Sequence, residues 1–235
     1  MIDIHCHLGE DEIKNIEWKI ITSGTNEESN CKAVELAEKY PNVWATVGGH
    51  PEEIQKSEFR DQNLIKNLRT LLIQPKVVGV GEIGLDYRGG TTPEEKLRQK
   101  QLFKDMVGIA AEAGKPIVVH NRNADEDIIE ILKDFRGKVV MHCFTRNEEF
   151  MKRCTGQGWY ISFGGLLLRE NNSRMRKVAT LVPNEYLLVE TDAPYVTPMN
   201  VKLVAETLAL LRKVDMKEIE KITDQNADRV FKCIN

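Results

Sequence analysis

The feature that most restricts this chain is a regular alternation of eight short apolar runs with stretches of helical periodicity. The runs lie near 2–5, 18–22, 43–47, 77–81, 116–119, 138–142, 159–163 and 186–190. Most are Val, Ile and Leu, the pattern of parallel strands covered on both faces. The clearest helix between them spans about 93–114: Thr92 can cap it, Pro93 sits in its first turn, and Gly114 before Lys115-Pro116 ends it. Another runs from Asn123 through Asp134, closed by Arg136-Gly137. The tail from Val201 reads as two helices, with Asp224 capping the last. Eight strands, each followed by a helix or helical turn, predict an α/β chain closed as a (βα)8 TIM barrel. No Gly-x-Gly-x-x-Gly follows the first strand, which weakens an open dinucleotide-binding sheet. With no internal repeat or linker, the 235 residues read as a single domain.

Composition narrows the partners. Hydrophobic residues at 41% and charged residues at 29% exclude a disordered or collagen-like chain. A formal net charge of -3, from 33 Lys plus Arg against 36 Asp plus Glu, excludes a generally basic nucleic-acid coat. A local patch or a bound cation can still hold phosphate. No apolar run approaches the roughly 18 residues that span a bilayer. The start, Met-Ile-Asp-Ile-His, lacks the features of a secretory signal. Five cysteines (Cys6, Cys31, Cys143, Cys154, Cys233) with no Cys-x-x-Cys pair read as free thiols. A cytoplasmic protein is the expectation.

All five histidines, His5, His7, His50, His120 and His142, fall at or just beyond the C-terminal end of a predicted strand. In a parallel barrel those ends open on one face, where such enzymes place their chemistry. Strand alternation puts Asp3, His5 and His7 on one side. It likewise groups Glu82 with Val78 and Val80, His120 with Val118, His142 with Val140, and Asp192 with Glu190 and Leu188. A lone histidine near a strand end is most simply a hydrogen-bonded structural residue. Six imidazoles and carboxylates on one rim point instead to a pair of divalent cations, Zn, Mn, Mg or Fe. Glu82 is the natural bridge, one oxygen to each ion. Cys6 and Cys143 have the opposite parity and read as small buried thiols. Trp18, Trp44 and Trp159 read as core or groove packing.

Several segments then carry a family look. Asp3-Ile4-His5-Cys6-His7-Leu8, Gly49-His50-Pro51, Gly81-Glu82-Ile83-Gly84-Leu85-Asp86-Tyr87, Val119-His120-Asn121-Arg122, His142-Cys143-Phe144 and Glu190-Thr191-Asp192-Ala193-Pro194-Tyr195 occur in that order, before a closing Asn226-Ala227-Asp228-Arg229-Val230-Phe231. End to end, the chain resembles the TatD family of metal-dependent deoxyribonucleases, within the amidohydrolase-like TIM barrels. The resemblance implies that His5, His7 and Asp192 hold a first metal, that Glu82 bridges, and that His120 and His142 hold a second. It implies that His50 faces the substrate phosphate, and that the activity is 3′ to 5′ exonuclease hydrolysis of nucleic acid with Mg or Mn. Two stretches depart from the family pattern: the segment between His7 and Trp18 is short, and Pro198-Met199-Asn200 runs into the next helix without an Arg-Asn-Glu-Pro-like segment.

The leading expectation is phosphodiester hydrolysis of single-stranded DNA by a water activated on two divalent ions, with Asp192 as proton acceptor and His50 orienting a phosphate oxygen. A second keeps the metals and changes the bond, to an ester or amide such as an aminoacyl ester on tRNA. A third, a barrel that only binds a partner, conflicts with an intact set of six ligands.

Overall fold

The computed structural model describes residues 1–53, 58–195 and 200–232. Eight strands run through it: β1 (Ile2–Cys6), β2 (Lys19–Ser23), β3 (Val43–Val47), β4 (Val77–Asp86), β5 (Ile117–Arg122), β6 (Val139–Met141), β7 (Tyr160–Phe163) and β8 (Leu187–Val189). The helices among them are α1 (Glu10–Ile13), α2 (Glu27–Lys39), α3 (Glu58–Leu71), α4 (Pro93–Ala113), α5 (Asp125–Leu132), α6 (Glu148–Gly156), α7 (Ser173–Leu181), α8 (Val201–Arg212) and α9 (Met216–Phe231). The strands form one eight-stranded sheet in sequence order. The predicted fold class, a (βα)8 barrel, is the observed one.

By internal contacts the chain divides into two compact units, one of residues 1–22 and 140–235 and one of residues 23–139. In the first, β1 pairs with β2, β6 with β7 and β7 with β8, all parallel. Every residue of β1, β7 and β8 is buried. In the second, β3 pairs with β4 and β4 with β5, again parallel, and all ten residues of β4 are buried. Strands buried on both faces have no reason to alternate, which is why they read as unbroken apolar runs.

Helix α4 shows how sequence sets the supports of the second unit. Its buried face is Gln99, Leu102, Phe103, Met106, Ile109 and Ala110, a three-four spacing along one stripe. Thr92 accepts from Glu95 N at 3.2 Å and Glu95 accepts from Thr92 N at 2.7 Å, with Gly114 closing the helix at φ 62°. Gln99 is the polar exception on that stripe. It accepts from Asp86 N at 2.8 Å and donates to Asp86 O at 3.1 Å, which satisfies the backbone where β4 ends.

The structure corrects two expectations about helix ends. The last helix is capped by Asp215, which accepts from Lys217 N at 2.7 Å, and not by Asp224. Asp224 lies inside α9, where its carboxylate sits 2.9 Å from the Met1 ammonium. The chain reverses earlier than expected because Lys213 adopts the left-handed conformation, φ 57°. The helix expected over 123–134 runs from Asp125 to Leu132, its start delayed because Asn123 (φ 57°) is also left-handed.

Candidate metal centre

In the unit of residues 1–22 and 140–235, the ends of β1, β6 and β8 bring predicted ligands together. The ligand atoms of His5, His142 and Asp192 all lie within 4.8 Å of one another. His5 Nε2 is 3.0 Å from His7 Nε2, and Asp192 Oδ1 is 3.8 Å from His7 Nε2 and 4.0 Å from His5 Nε2. The His5 and His142 rings are 4.2 Å apart between centroids. Glu190, fully buried, accepts from Cys143 N at 2.6 Å and lies 3.3 Å from His142 Nδ1.

The backbone under these groups is stapled. Asp3, buried in β1, accepts from His5 N at 3.3 Å, Thr191 N at 2.9 Å and Thr191 Oγ1 at 2.6 Å. Asp192 N donates to His5 O at 3.0 Å and His7 N to Ala193 O at 2.6 Å. The strand that carries two histidines and the turn that carries Asp192 are thus held in one register. Asp192 has φ 56°, a left-handed conformation that Asp tolerates better than most residues. Burial pushes the Asp3 carboxyl up to about 7, against the pull of its Thr191 donors.

In the unit of residues 23–139, His50, Glu82 and His120 form a second group whose ligand atoms all lie within 4.8 Å. Glu82 Oε1 is 2.9 Å from His120 Nδ1 and 3.3 Å from His50 Nε2. The other ring nitrogen of His120 is 3.1 Å from Asp86 Oδ2. Arg88 grips the same carboxylate through Nε at 3.1 Å and Nη2 at 2.6 Å. Burial pushes Asp86 up, but hydrogen bonding and charge from His120, with the Arg122 charge, outweigh it and leave its pKa lowered. Arg88 also pairs with Glu52, whose N–H donates to His50 Nδ1 at 3.2 Å. Gly84, at φ 144°, lets β4 pass close to β5 beside His120, since a Cβ there would overlap the His120 carbonyl oxygen.

Comparison with known proteins decides the family. The family model for TatD-related DNases matches residues 2–232. The chain is 33% identical to an uncharacterized metal-dependent hydrolase, YabD, of Bacillus subtilis, over 99% of each chain. It is 38% identical to the 3′-5′ ssDNA/RNA exonuclease TatD of Escherichia fergusonii, over 76% of this chain and 68% of that one. The crystal structure of YjjV, a TatD homolog from Escherichia coli K12, superposes with a TM-score of 0.89 at 27% identity, covering 99% of this chain and 98% of that one. The chain belongs to the TatD family. It is a metal-dependent hydrolase of that family by descent.

The donor chemistry of this TatD-family chain fits divalent cations. Imidazole nitrogens meet carboxylate oxygens in both groups, the mixture that borderline metals take. Glu190 Oε2 is buried without a hydrogen-bond partner, although Glu190 reaches the His142 ring. The Asp86–His120 contact is the carboxylate–histidine arrangement that orients metal-binding imidazoles.

Strand parity pointed to these clusters without describing them fully. The β1–β2 register shifts between Asp3 and Cys6, and Asp3, of the same parity as His5 and His7, serves Thr191 instead. The β4–β5 register shifts between Val80 and Ile83, just before and after Glu82. The supporting groups Asp3, Asp86, Arg88, Glu190 and Thr191 lie inside the family motifs or beside them, but their roles depend on side-chain contacts that spacing does not encode. Cys6 is buried as expected, with Sγ 3.6 Å from Ile21 O; Cys143 is half-buried, and both are free thiols like Cys31 and Cys154. Trp44 and Trp159 are buried. The expectation for Cys233 and for Pro198-Met199 lies outside the described residues. Among the described residues no helix is long and apolar enough to cross a membrane.

Proposed function

We propose that this chain is a divalent-metal-dependent deoxyribonuclease that removes nucleotides 3′ to 5′ from single-stranded DNA. It acts as one hydrolase domain over residues 1–235, in the cytoplasm. The observation that carries the reading is the convergence of His5, His142 and Asp192, and of His50, Glu82 and His120, each set with its ligand atoms within 4.8 Å. Family membership and the TatD exonuclease relative supply the substrate class.

Two ions, Mg, Mn or Zn, would be held by His5, His7, Glu82, His120, His142 and Asp192. When bound, such ions acidify a water and stabilise charge on the attacking and leaving oxygens. The protein's own groups do the rest. Asp192 accepts the proton of the attacking water, since its carboxylate faces His5 and His7 and is only 14% exposed. His50 orients a non-bridging phosphate oxygen, its Nδ1 being held by the Glu52 N–H. Asp86 fixes the His120 ring, and Glu190 fixes the backbone beyond His142.

The phosphate backbone also needs cations that the overall charge of -3 does not provide. Arg169, in the connection from β7 to α7, and Arg174, in the first turn of α7, flank a polar cleft of about 350 Å³. Both are exposed. They take the part of the basic segment that the sequence lacks after Pro198.

The test is incubation of a labelled single strand with wild type and Glu82→Ala in Mg and in Mn, beside a panel of esters and amides. Wild type is expected to shorten the strand from its 3′ end, and the variant to lose several orders of magnitude of activity together with bound metal. An intact strand in both metals, with turnover of an ester or amide, would replace this reading with the ester or amide hydrolase.

A further inference from the structure

We propose that Tyr195 is a stacking platform for the base of the nucleotide being released. This rests on the nucleic-acid reading above and adds to it what the site holds beyond phosphate. Tyr195 follows Asp192-Ala193-Pro194 and is 73% exposed. Among the described residues it is the one aromatic side chain in the class of large exposed apolar groups. The others, Ile73, Leu97, Leu181, Leu203 and Leu210, lie on helices or, for Ile73, just past one. A ring of this size forgoes roughly 1.5–3 kcal/mol by staying in water. An exposed Leu needs no special account, whereas an exposed aromatic beside candidate metal ligands invites one.

Its place is fixed rather than incidental. Ala193 is fully buried; its N–H donates to Thr191 Oγ1 at 3.2 Å and its carbonyl accepts from His7 N at 2.6 Å. The backbone two residues before the ring is therefore held to the strand that carries His5 and His7. The Tyr195 ring meets the His7 ring edge-on, centroids 5.2 Å apart and planes at 69°. With that contact made, Tyr195 is still 73% exposed. His7 Nε2 lies 3.8 Å from Asp192 Oδ1, so the exposed ring stands one imidazole away from the group assigned to proton transfer.

A nucleotide whose phosphorus sits at those ligands carries its base only a sugar's width away. Aromatic faces bind single-stranded bases of any sequence, because every base presents a π-face. The platform therefore gives preference for nucleotides over plain phosphodiesters without selecting a sequence. The hydroxyl plays no part in this role; the ring does.

The experiment compares thymidine 5′-(p-nitrophenyl phosphate) with methyl p-nitrophenyl phosphate, which has the same leaving group and no base. Variants are Tyr195→Ala, Tyr195→Phe and Tyr195→Trp. Stacking is worth about 1–3 kcal/mol per base on alanine substitution, which converts to a fall of roughly 5- to 150-fold in kcat/KM. We expect Tyr195→Ala to show that loss on the nucleotide ester, chiefly through KM, and to stay within about twofold of wild type on the methyl ester. Tyr195→Phe and Tyr195→Trp should keep the nucleotide preference. Binding of a fluorescent single strand, measured beside the same strand lacking its 3′-terminal base, should show the Ala variant indifferent to that base. Equal losses on both substrates would overturn the proposal in favour of support for His7, and so would no loss on either. A Phe variant that behaves like Ala would also overturn it, since the hydroxyl would then be the active part. Wild type that leaves both the nucleotide ester and the strand intact would instead remove the phosphodiesterase reading, and the platform with it.

Discussion

Replacing Thr191 with valine tests whether the staple beneath the candidate ligands is needed. The swap conserves shape and deletes one hydroxyl, and that hydroxyl serves two groups. It donates to Asp3 Oδ2 at 2.6 Å and accepts from Ala193 N at 3.2 Å. Asp3 and Thr191 are each 1% exposed and Ala193 is fully buried, so water cannot replace either partner. Well above pH 7, where the Asp3 carboxyl is ionised, a hydrogen bond to it is worth about 1.5–3 kcal/mol, and a buried donor left unpaired costs about 1–3 kcal/mol. Asp3 keeps the Thr191 N–H at 2.9 Å, which limits the damage. The sum is about 2.5–6 kcal/mol, a large share of the roughly 5–15 kcal/mol that holds a folded protein together. At roughly 2–4 °C per kcal/mol for a chain of this size, the melting temperature should drop by about 5–24 °C. Urea unfolding followed by tryptophan fluorescence and far-ultraviolet dichroism measures the same change. Thr191→Ser keeps the hydroxyl and should lose about 1 kcal/mol, the value of one buried methyl. Because Asp192 N and His7 N hang on the same segment, the valine variant should also bind Mn more weakly than the serine variant does. A valine variant within about 1 kcal/mol of wild type would refute the reasoning.

Asp3 itself gives a pH signature. Its carboxyl is raised by burial to about 7, so the folded chain keeps a proton that the unfolded chain loses near pH 4. The stability from this group is full at the acid end and is lost as pH rises through 7, at up to about 1.4 kcal/mol per pH unit. Denaturant titrations of metal-free protein should show this slope between pH 4 and 7, and Asp3→Asn should flatten it; equal slopes would count against the assignment. Changing Arg169 and Arg174 together to alanine should weaken single-strand binding at low salt. The slope of log affinity against log salt should fall by about 1.4, near 0.7 for each phosphate that is no longer neutralised. Lysine at both positions should restore the slope, and an unchanged slope in the alanine variant would remove these two side chains from the strand's path.

The parts legible in the sequence were those fixed by short-range rules. Buried parallel strands read as apolar runs, and the Thr92 cap with Glu95 and the Gly114 terminus marked α4 from its own residues. The histidines were legible because they are scarce and lie at strand ends, where a parallel barrel opens. What spacing could not supply was direction once a strand lost its regularity. Asp3 has the parity of His5 and His7 but turns to Thr191, across a register shift in β1. Asp224 has the chemistry of a cap, yet a tertiary partner, the Met1 ammonium, takes it, while Asp215 does the capping. Tyr195 stands out in the sequence only as the end of a motif, since no periodicity reports that a ring stays open to solvent when the backbone before it is buried. In each case a contact between residues far apart in sequence overrides the local preference. At the candidate centre those contacts are dense: Asp3, Asp86 and Glu190 each hold a ligand or the chain next to one, so the set of side chains able to bind an ion is smaller than the set that must be right for it to bind.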